Sequence, residues 1–549
     1  MLNKRLLAFT QKKLACLKRF TMFNAPNKFV YFKKFTALLV SLALLFGFTG
    51  LTFTGCTIAT NSSTSQASTQ CASNTPASAS VAAQLSAIEG ITSVNEYEND
   101  SIVEAGLDQT YKIYEITFQQ LIDHNDASAG TFDQHVRLFY ASSSAVNVIC
   151  TDGYMLTDIP KTAYKEFCTQ EFSSRYGTPN IIQMEYRYFG TSEPAGLDIA
   201  STKLWEFLTM EQAASDFHNV IQKLSNVLSG KRLWTGTSKG GLTTDYQCYF
   251  QEHHGYSDAD AFVAFCAPFC EGRNDSRIMS AAYGEIGYAA YGEEQASKWH
   301  DLLDKFQLAC IKHREVLQSR YYQQAIEEGC KFRESYFGTD ELIQAKRLWD
   351  VVVNEFPLLG FWQYYQETML DKIMQAVNSD NPNEIYACVI EKMPTSTFAY
   401  SNGFLAYEIQ AASEMGDYNE NFDYLRRIVA EAKEAAPANE KQAYYISTED
   451  NPSYSEIYLT TEQLAALPYS SSTRNAMVQW LNTTNSAQLI MVSGKSDPWY
   501  FVRPELSFSN SQIQCYESSY NHLTTLANLS TSEQENIYNA LDGWLDFAA

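Results

Sequence analysis

KRLWTGTSKGGLTTDYQCYFQEHHGYSDADAFVAFCA, residues 231–267, reads as strand, turn, helix, turn, strand. The apolar run through Leu233 and Trp234 stops at a glycine, and AFVAFCA (261–267) is apolar throughout. Short continuous runs of this kind mark strands buried on both faces of a parallel sheet. Between them the pattern from Ser238 predicts an amphipathic helix. At the join stands Gly236-Thr237-Ser238-Lys239-Gly240-Gly241. A GxSxG pentapeptide alone is a weak signal in a chain with 26 glycines. Its place between strand and helix supplies a mechanism: a nucleophile on a sharp turn needs neighbours without side chains, and the helix behind it offers exposed N–H groups to an oxyanion. Ser238 is therefore the expected nucleophile, Gly236, Gly240 and Gly241 its spacers, and the Lys239 N–H one oxyanion donor.

Upstream lie further strand patterns, YKIYEITF (111–118), HVRLFYA (135–141), AVNVIC (145–150) and IIQMEYRYF (181–189), and a helical pattern from Thr209 to about Leu228. Downstream, residues 278–478 change character. Stretches such as EEQASKWHDLLDKFQLACIKHREVLQSRYYQQAIEEG (293–329) repeat at helical spacing with little strand signal. Strands resume with AQLIMVSG (487–494) and QIQCYE (512–517), and a helix from about Ser532 to Phe547 closes the chain. Strand–helix–strand order predicts an α/β protein. The serine elbow narrows this to an α/β-hydrolase fold, with core segments 86–277 and 479–549 and a large helical lid, 278–478, inserted between them.

A serine hydroxyl needs a base to take its proton, and in this fold acid and histidine follow the serine in chain order. Of the five histidines after Ser238, His253 and His254 end the nucleophile helix, and His300 and His313 read as exposed positions of lid helices. His522 alone falls in a loop after the resumed sheet. Asp497, in SGKSDPW (493–499), stands at the carboxyl end of a strand, where ligand-facing residues of open α/β sheets collect. Asp542 and Asp546 lie in the last helix, as solvated charges. The expected triad is Ser238, His522 and Asp497, and a second oxyanion donor is expected from the loop at Asp152, Gly153 and Tyr154. Such chemistry implies no cofactor. No paired CxxC and no HExxH occurs, so Cys266 and Cys270 (CAPFC) are not read as metal ligands.

The first 34 residues carry nine Lys or Arg and no acid, and Phe35–Phe53 is apolar up to Thr54-Gly55-Cys56. This order predicts a lipoprotein signal peptide, 1–55, with Cys56 as the lipidated residue. An uncleaved membrane anchor is the rival reading, and both Met1 and Met22 are available as starts. Residues 56–85 are Ser, Thr, Ala and Asn with almost no charge and read as a disordered tether. Losing the signal leaves 31 basic residues against 63 acidic ones, which excludes nucleic acid as a partner. Of the twelve cysteines, Cys16 lies in the signal and Cys56 at the anchor, which leaves ten in a setting that permits disulfides, with no spacing that names a pairing.

The motifs together resemble a family. GTSKGG (236–241), QQLIDHNDASAGTFDQHVRLFY (119–140), CTDGY (150–154), MEYRYFGTSEP (184–194), FLTMEQAASD (207–216), SGKSDPW (493–499) and, within the lid, FPLLGFWQYYQE (356–367) are similar to the PS-10 family of secreted prolyl tri- and tetrapeptidyl aminopeptidases. They resemble lysosomal prolyl carboxypeptidase and its relatives more distantly. The lysine after the serine favours the first family. The resemblance implies the same triad, Ser238, Asp497 and His522, and the release of short peptides from free N-termini, often after proline. His135 stands where the relatives tend to have Arg, and Asn521-His522-Leu523 lacks the small residues often found after the histidine; both bear on substrate preference. An acid-rich lid suits a peptide ammonium, although Glu185 and Glu206 are equally read as structural or surface charges. Trp362, Tyr364 and Trp499 would suit a proline-sized pocket, or the core. Other function classes compatible with the chain are a lipase or esterase and a binding lipoprotein that lost its chemistry.

Overall fold

A computed structural model describes residues 79–97, 111–156, 170–196, 202–401, 403–484, 486–507 and 512–547. Among these residues nine strands form one sheet: β1 (Ile91–Glu96), β2 (Lys112–Leu121), β3 (Thr131–Tyr140), β4 (Asn147–Cys150), β5 (Asn180–Met184), β6 (Arg232–Thr237), β7 (Ala261–Phe265), β8 (Leu489–Gly494) and β9 (Ile513–Ser518). Their spatial order is β1-β2-β3-β5-β4-β6-β7-β8-β9. The first pairings, through β3–β5, are antiparallel, and those from β5–β4 onward are parallel. The β5–β4 exchange leaves the parallel strands with their carboxyl ends on one edge, the α/β-hydrolase arrangement. In β4, β5 and β7 every residue is buried, as expected for parallel strands covered on both faces.

Helix α1 (Met210–Leu224) and helix α2 (Lys239–His254) cover one face of this sheet. Their Phe217, Val220 and Leu242 pack in the same core as Trp234, Phe262 and Leu489. Between β7 and β8 the chain leaves the sheet for the helical insertion, which includes α3 (Glu341–Glu355) and α4 (Leu405–Gln410). Two of its turns are widened to π-helical form, Phe356–Phe361 after α3 and Ala411–Met415 after α4. Helix α5 (Thr531–Trp544) closes the opposite face, with Ile537 and Leu541 packed against Leu233, Val263 and Ile490. Alternation along one strand, Leu233 to one side and Trp234 to the other, thus feeds both layers.

Several sequence expectations are corrected. ITSVNE, with too few apolar residues to register as a strand, pairs with β2 as β1. IIQMEYRYF is a strand only to Met184, and the α1 helix ends at Leu224 rather than near Leu228. Helix α2 is not amphipathic: every residue from Lys239 to Phe250 is buried, because α1 and the insertion cover the side away from the sheet. The end of the supposed tether is ordered, as helix Val81–Ser86, capped by Ser80 and anchored by buried Leu85. The signal segment, Cys56 and the tether through residue 78 lie outside the described residues. Cys248, Cys266, Cys270, Cys310, Cys388 and Cys515 form no disulfide.

Candidate active site

Ser238 is the N-cap of α2 and holds φ 60°, ψ −127°. A non-glycine residue there stores strain of about 1–3 kcal/mol, and such outliers persist where the surroundings over-determine them. Here the Ser238 N–H donates to Phe265 O at 3.0 Å and the Leu242 N–H to Ser238 O at 2.9 Å. The spacers are required by contact rather than by torsion. A Cβ on Gly240 would lie 2.0 Å from Thr151 O, one on Gly236 2.4 Å from Gly240 O, and one on Gly241 2.3 Å from Phe265 O.

Asp497 and His522 follow β8 and β9 at the same carboxyl edge that presents Ser238. Asp497 Oδ2 lies 2.8 Å from His522 Nδ1, and both side chains are buried. The other carboxylate oxygen accepts the Trp499 N–H at 3.1 Å, so Asp497 caps the turn Pro498–Val502. The lid holds the histidine loop directly: the His522 N–H donates to Gln363 O at 3.2 Å, and Asn521 Nδ2 donates to Tyr365 O at 2.7 Å. The Tyr364 and Trp499 rings stand 6.4 Å from the imidazole, centroid to centroid. Trp362, by contrast, is fully buried core.

The oxyanion candidates meet at the elbow. The Lys239 N–H belongs to the first turn of α2, where backbone donors have no helical partner. Gly153 has φ +79°, and a Cβ there would lie 3.0 Å from Gly240 N, so the loop after β4 runs against the start of the helix. The Lys239 side chain fastens that contact. It is buried, donates to Gly153 O at 2.6 Å and sits 3.1 Å from the Tyr186 ring centroid. Burial holds its pKa well below the ordinary lysine range. Tyr154 contributes more than the backbone donor expected of it: its phenol faces the Ser238 side chain, and burial raises the phenol pKa.

Cys266 was not singled out as a site residue by the sequence, yet it lies beside the pair. It holds φ 48° at the end of β7, and its thiol, Asp497 and His522 present ligand atoms within 4.8 Å of one another. The imidazole nitrogen that Asp497 engages is occupied by that bond, and burial with the Asp497 charge keeps the thiol pKa well above normal. The grouping is that of an acid–imidazole pair with a neutral neighbour. The signal for Cys266 was its place one residue past a buried strand.

Other expected residues fall elsewhere. Glu185 is buried and satisfied by the N–H groups of Leu156 and Thr191 and the hydroxyls of Thr191 and Ser192; it is structural. Glu206 is exposed. His300, expected to be exposed, is buried against Trp362 and bonded to Ile286 O at 3.0 Å, and His313 is engaged by Asp380 at 2.8 Å. The insertion folds back on both. His135 pairs with Glu115. A cavity of about 880 Å³ opens beside the histidine loop, lined by Tyr291, Trp299, Tyr365, Glu367, Asp371 and Tyr520.

The PS-10 peptidase S37 family model matches residues 91–546, the whole sheet and the insertion. This chain belongs to the PS-10 peptidase S37 family. It is a serine peptidase by class. The prolyl tri/tetrapeptidyl aminopeptidase of Streptomyces mobaraensis is 26% identical over 310 residues, 56% of this chain and 57% of that protein. The match thus spans little more than half the length of that relative. Among solved structures, the rice cell wall degrading esterase LipA from Xanthomonas oryzae is similar over 82% of this S37 peptidase and 95% of its own chain, at 11% identity and a TM-score of 0.30. Proline iminopeptidase from Mycobacterium smegmatis is similar over 77% and 96%, at 10% identity and a TM-score of 0.30.

Proposed function

We propose that this S37 peptidase is a lipid-anchored, extracytoplasmic exopeptidase that releases short peptides from free N-termini, cutting after proline. The observation that carries the reading is the 2.8 Å Asp497–His522 bond at the edge where the strained Ser238 elbow opens. Ser238 attacks the scissile carbonyl. His522 takes its proton and returns it to the leaving amine, while Asp497 holds the imidazole in the tautomer that leaves the far nitrogen free to accept. The oxyanion is met by the Lys239 N–H and the Gly153–Tyr154 loop, placed by the bond from Lys239 Nζ to Gly153 O. Tyr364 and Trp499 beside the imidazole offer the flat apolar walls that a proline ring packs against. The S. mobaraensis relative, named for prolyl tri- and tetrapeptides, supports the length and proline preference. The basic-then-apolar N-terminus ending at Cys56 supports the anchor.

The test is fluorophosphonate labelling of cells expressing the full chain, its Ser238→Ala variant and its Cys56→Ala variant, with fractionation and mass mapping of products from proline-containing peptides. Labelling of the parent but not of Ser238→Ala, membrane-bound in the parent and lost from the membrane in Cys56→Ala, with tripeptides released from free N-termini, is expected. Labelling with hydrolysis of short acyl esters only would replace the peptidase reading by an esterase one, and absence of labelling would remove the nucleophile.

A further inference from the structure

The insertion buries four carboxylates with no cation between them among the described residues. Glu355 and Glu420 are 0% exposed, Asp417 1% and Glu408 3%. Each leaves one oxygen that meets no donor among the described residues: Glu355 Oε1, Glu408 Oε2, Asp417 Oδ2 and Glu420 Oε1. Their remaining contacts are uncharged. Glu355 Oε2 accepts the Tyr418 hydroxyl at 3.1 Å, Glu420 Oε2 accepts Asn354 Nδ2 at 2.7 Å, and Asp417 Oδ1 accepts the Tyr418 N–H at 2.9 Å. Burial, then the Glu420 charge, raises Glu355 well above the carboxylate range, and burial raises Glu420 to about 7. Burial, then the Asp417 charge, raises Glu408 well above the carboxylate range, and burial, with the Glu420 charge, raises Asp417 to about 8.

The cluster sits one layer behind the site. The Tyr418 ring lies 5.9 Å from Trp499, whose ring is 6.4 Å from that of His522. On the other side Tyr407, the neighbour of Glu408, lies 5.9 Å from Tyr154, which reaches Ser238. The two widened turns flank the acids: one begins at the residue after Glu355, and the other separates Glu408 from Asp417. Wide turns of this kind recur where a helix is reshaped around a ligand.

Buried acids with idle oxygens weaken a fold, and replacing them by neutral groups is commonly stabilising. An organic ammonium reverses that balance, since it brings three donors and one positive charge. We propose that Glu408 and Asp417, backed by the Glu355–Glu420 pair, receive the free α-ammonium of the peptide substrate. This rests on the exopeptidase reading and makes the cluster the ruler of that reaction. A peptide held there by its N-terminus and presenting its third carbonyl to Ser238 spans about 10 Å, at ~3.4 Å per extended residue.

The experiment compares kcat/KM for a tripeptide amide ending in proline, free and N-acetylated, in the full chain, in Glu408→Gln, in Asp417→Asn and in Glu367→Gln, which alters an acid of the open cavity instead. The parent is expected to favour the free peptide by about 100-fold, the size of a buried charge pair, and both lid variants to reduce that ratio below about 10-fold while melting at or above the parent temperature. Glu367→Gln is expected to keep the parent ratio. An unchanged ratio in folded Glu408→Gln and Asp417→Asn, or its collapse in Glu367→Gln, overturns the receptor. Free peptides with two to six residues before the scissile bond, given to the parent alone, should show one preferred length, and a flat series also overturns it. A parent that cleaves neither peptide but hydrolyses a short acyl ester removes the substrate reading itself, and the receptor with it.

Discussion

The sheet edge and the lid treat buried acids in opposite ways. At the edge Asp497 is met by His522 and a backbone N–H, Glu185 by four donors, and Asp216 by both Arg187 nitrogens at 2.7 and 2.9 Å. In the lid Glu355, Glu408, Asp417 and Glu420 face one another and tyrosines. Each side has an exception: Asp245 in α2 has both oxygens unpartnered and its pKa raised by burial, and Asp350 in the lid is paired with Arg314 at 2.9 Å. The contrast teaches that the first set holds geometry, whereas the second carries a cost that the fold alone does not offset.

The comparison breaks or sharpens under mutation. Asp497→Asn should show the largest effect, a fall in kcat of ~10,000-fold with little change in melting temperature, because the imidazole loses its tautomer and not its packing; steady-state kinetics and calorimetry read both, and a mild kinetic loss would detach Asp497 from the chemistry. Next, Arg187→Met leaves buried Asp216 with His124 as its remaining side-chain partner and should cost about 3–5 kcal/mol by denaturant unfolding. Glu420→Gln removes a lid charge that has no cation and should be neutral or stabilising by ~1 kcal/mol. If both variants lost stability equally, the distinction between the two regions would vanish.

A further effect is in pH. Burial pushes Glu414 up from 4.5 to about 7 against its bond from the Met210 N–H. The folded pKa is raised, so its contribution is fully present below pH 4.5 and is lost as pH rises to about 7, since the unfolded chain binds fewer protons in that window. The melting temperature should fall by roughly a few degrees between pH 5 and 8, and Glu414→Gln should flatten the slope. A slope of opposite sign would mean that the acid is ionised when buried.

Much of the site was legible because its signals are local or ordinal. The GTSKGG elbow needs spacers within five residues of Ser238, strand and helix periodicities are short-range, and the order serine, acid, histidine left His522 as the only loop histidine downstream. What was not legible depended on surfaces that meet late. Helix α2 lost its expected polar face to the insertion, His300 was buried by it, and β1 formed from a polar hexapeptide because β2 offered an edge. The Tyr154 phenol at Ser238 and the thiol of Cys266 beside Asp497 arise from neighbouring strand ends rather than neighbouring residues.

By itself, then, the sequence determined the α/β class, the elbow, and the residues available for an acid–base pair, since torsion, periodicity and chain order are written in consecutive residues. Only the tertiary structure decided which carboxylates are partnered. Glu355 and Glu408 are more than fifty positions apart, and whether a buried acid meets an arginine, a backbone donor or another acid depends on how the insertion packs, which no local pattern encodes.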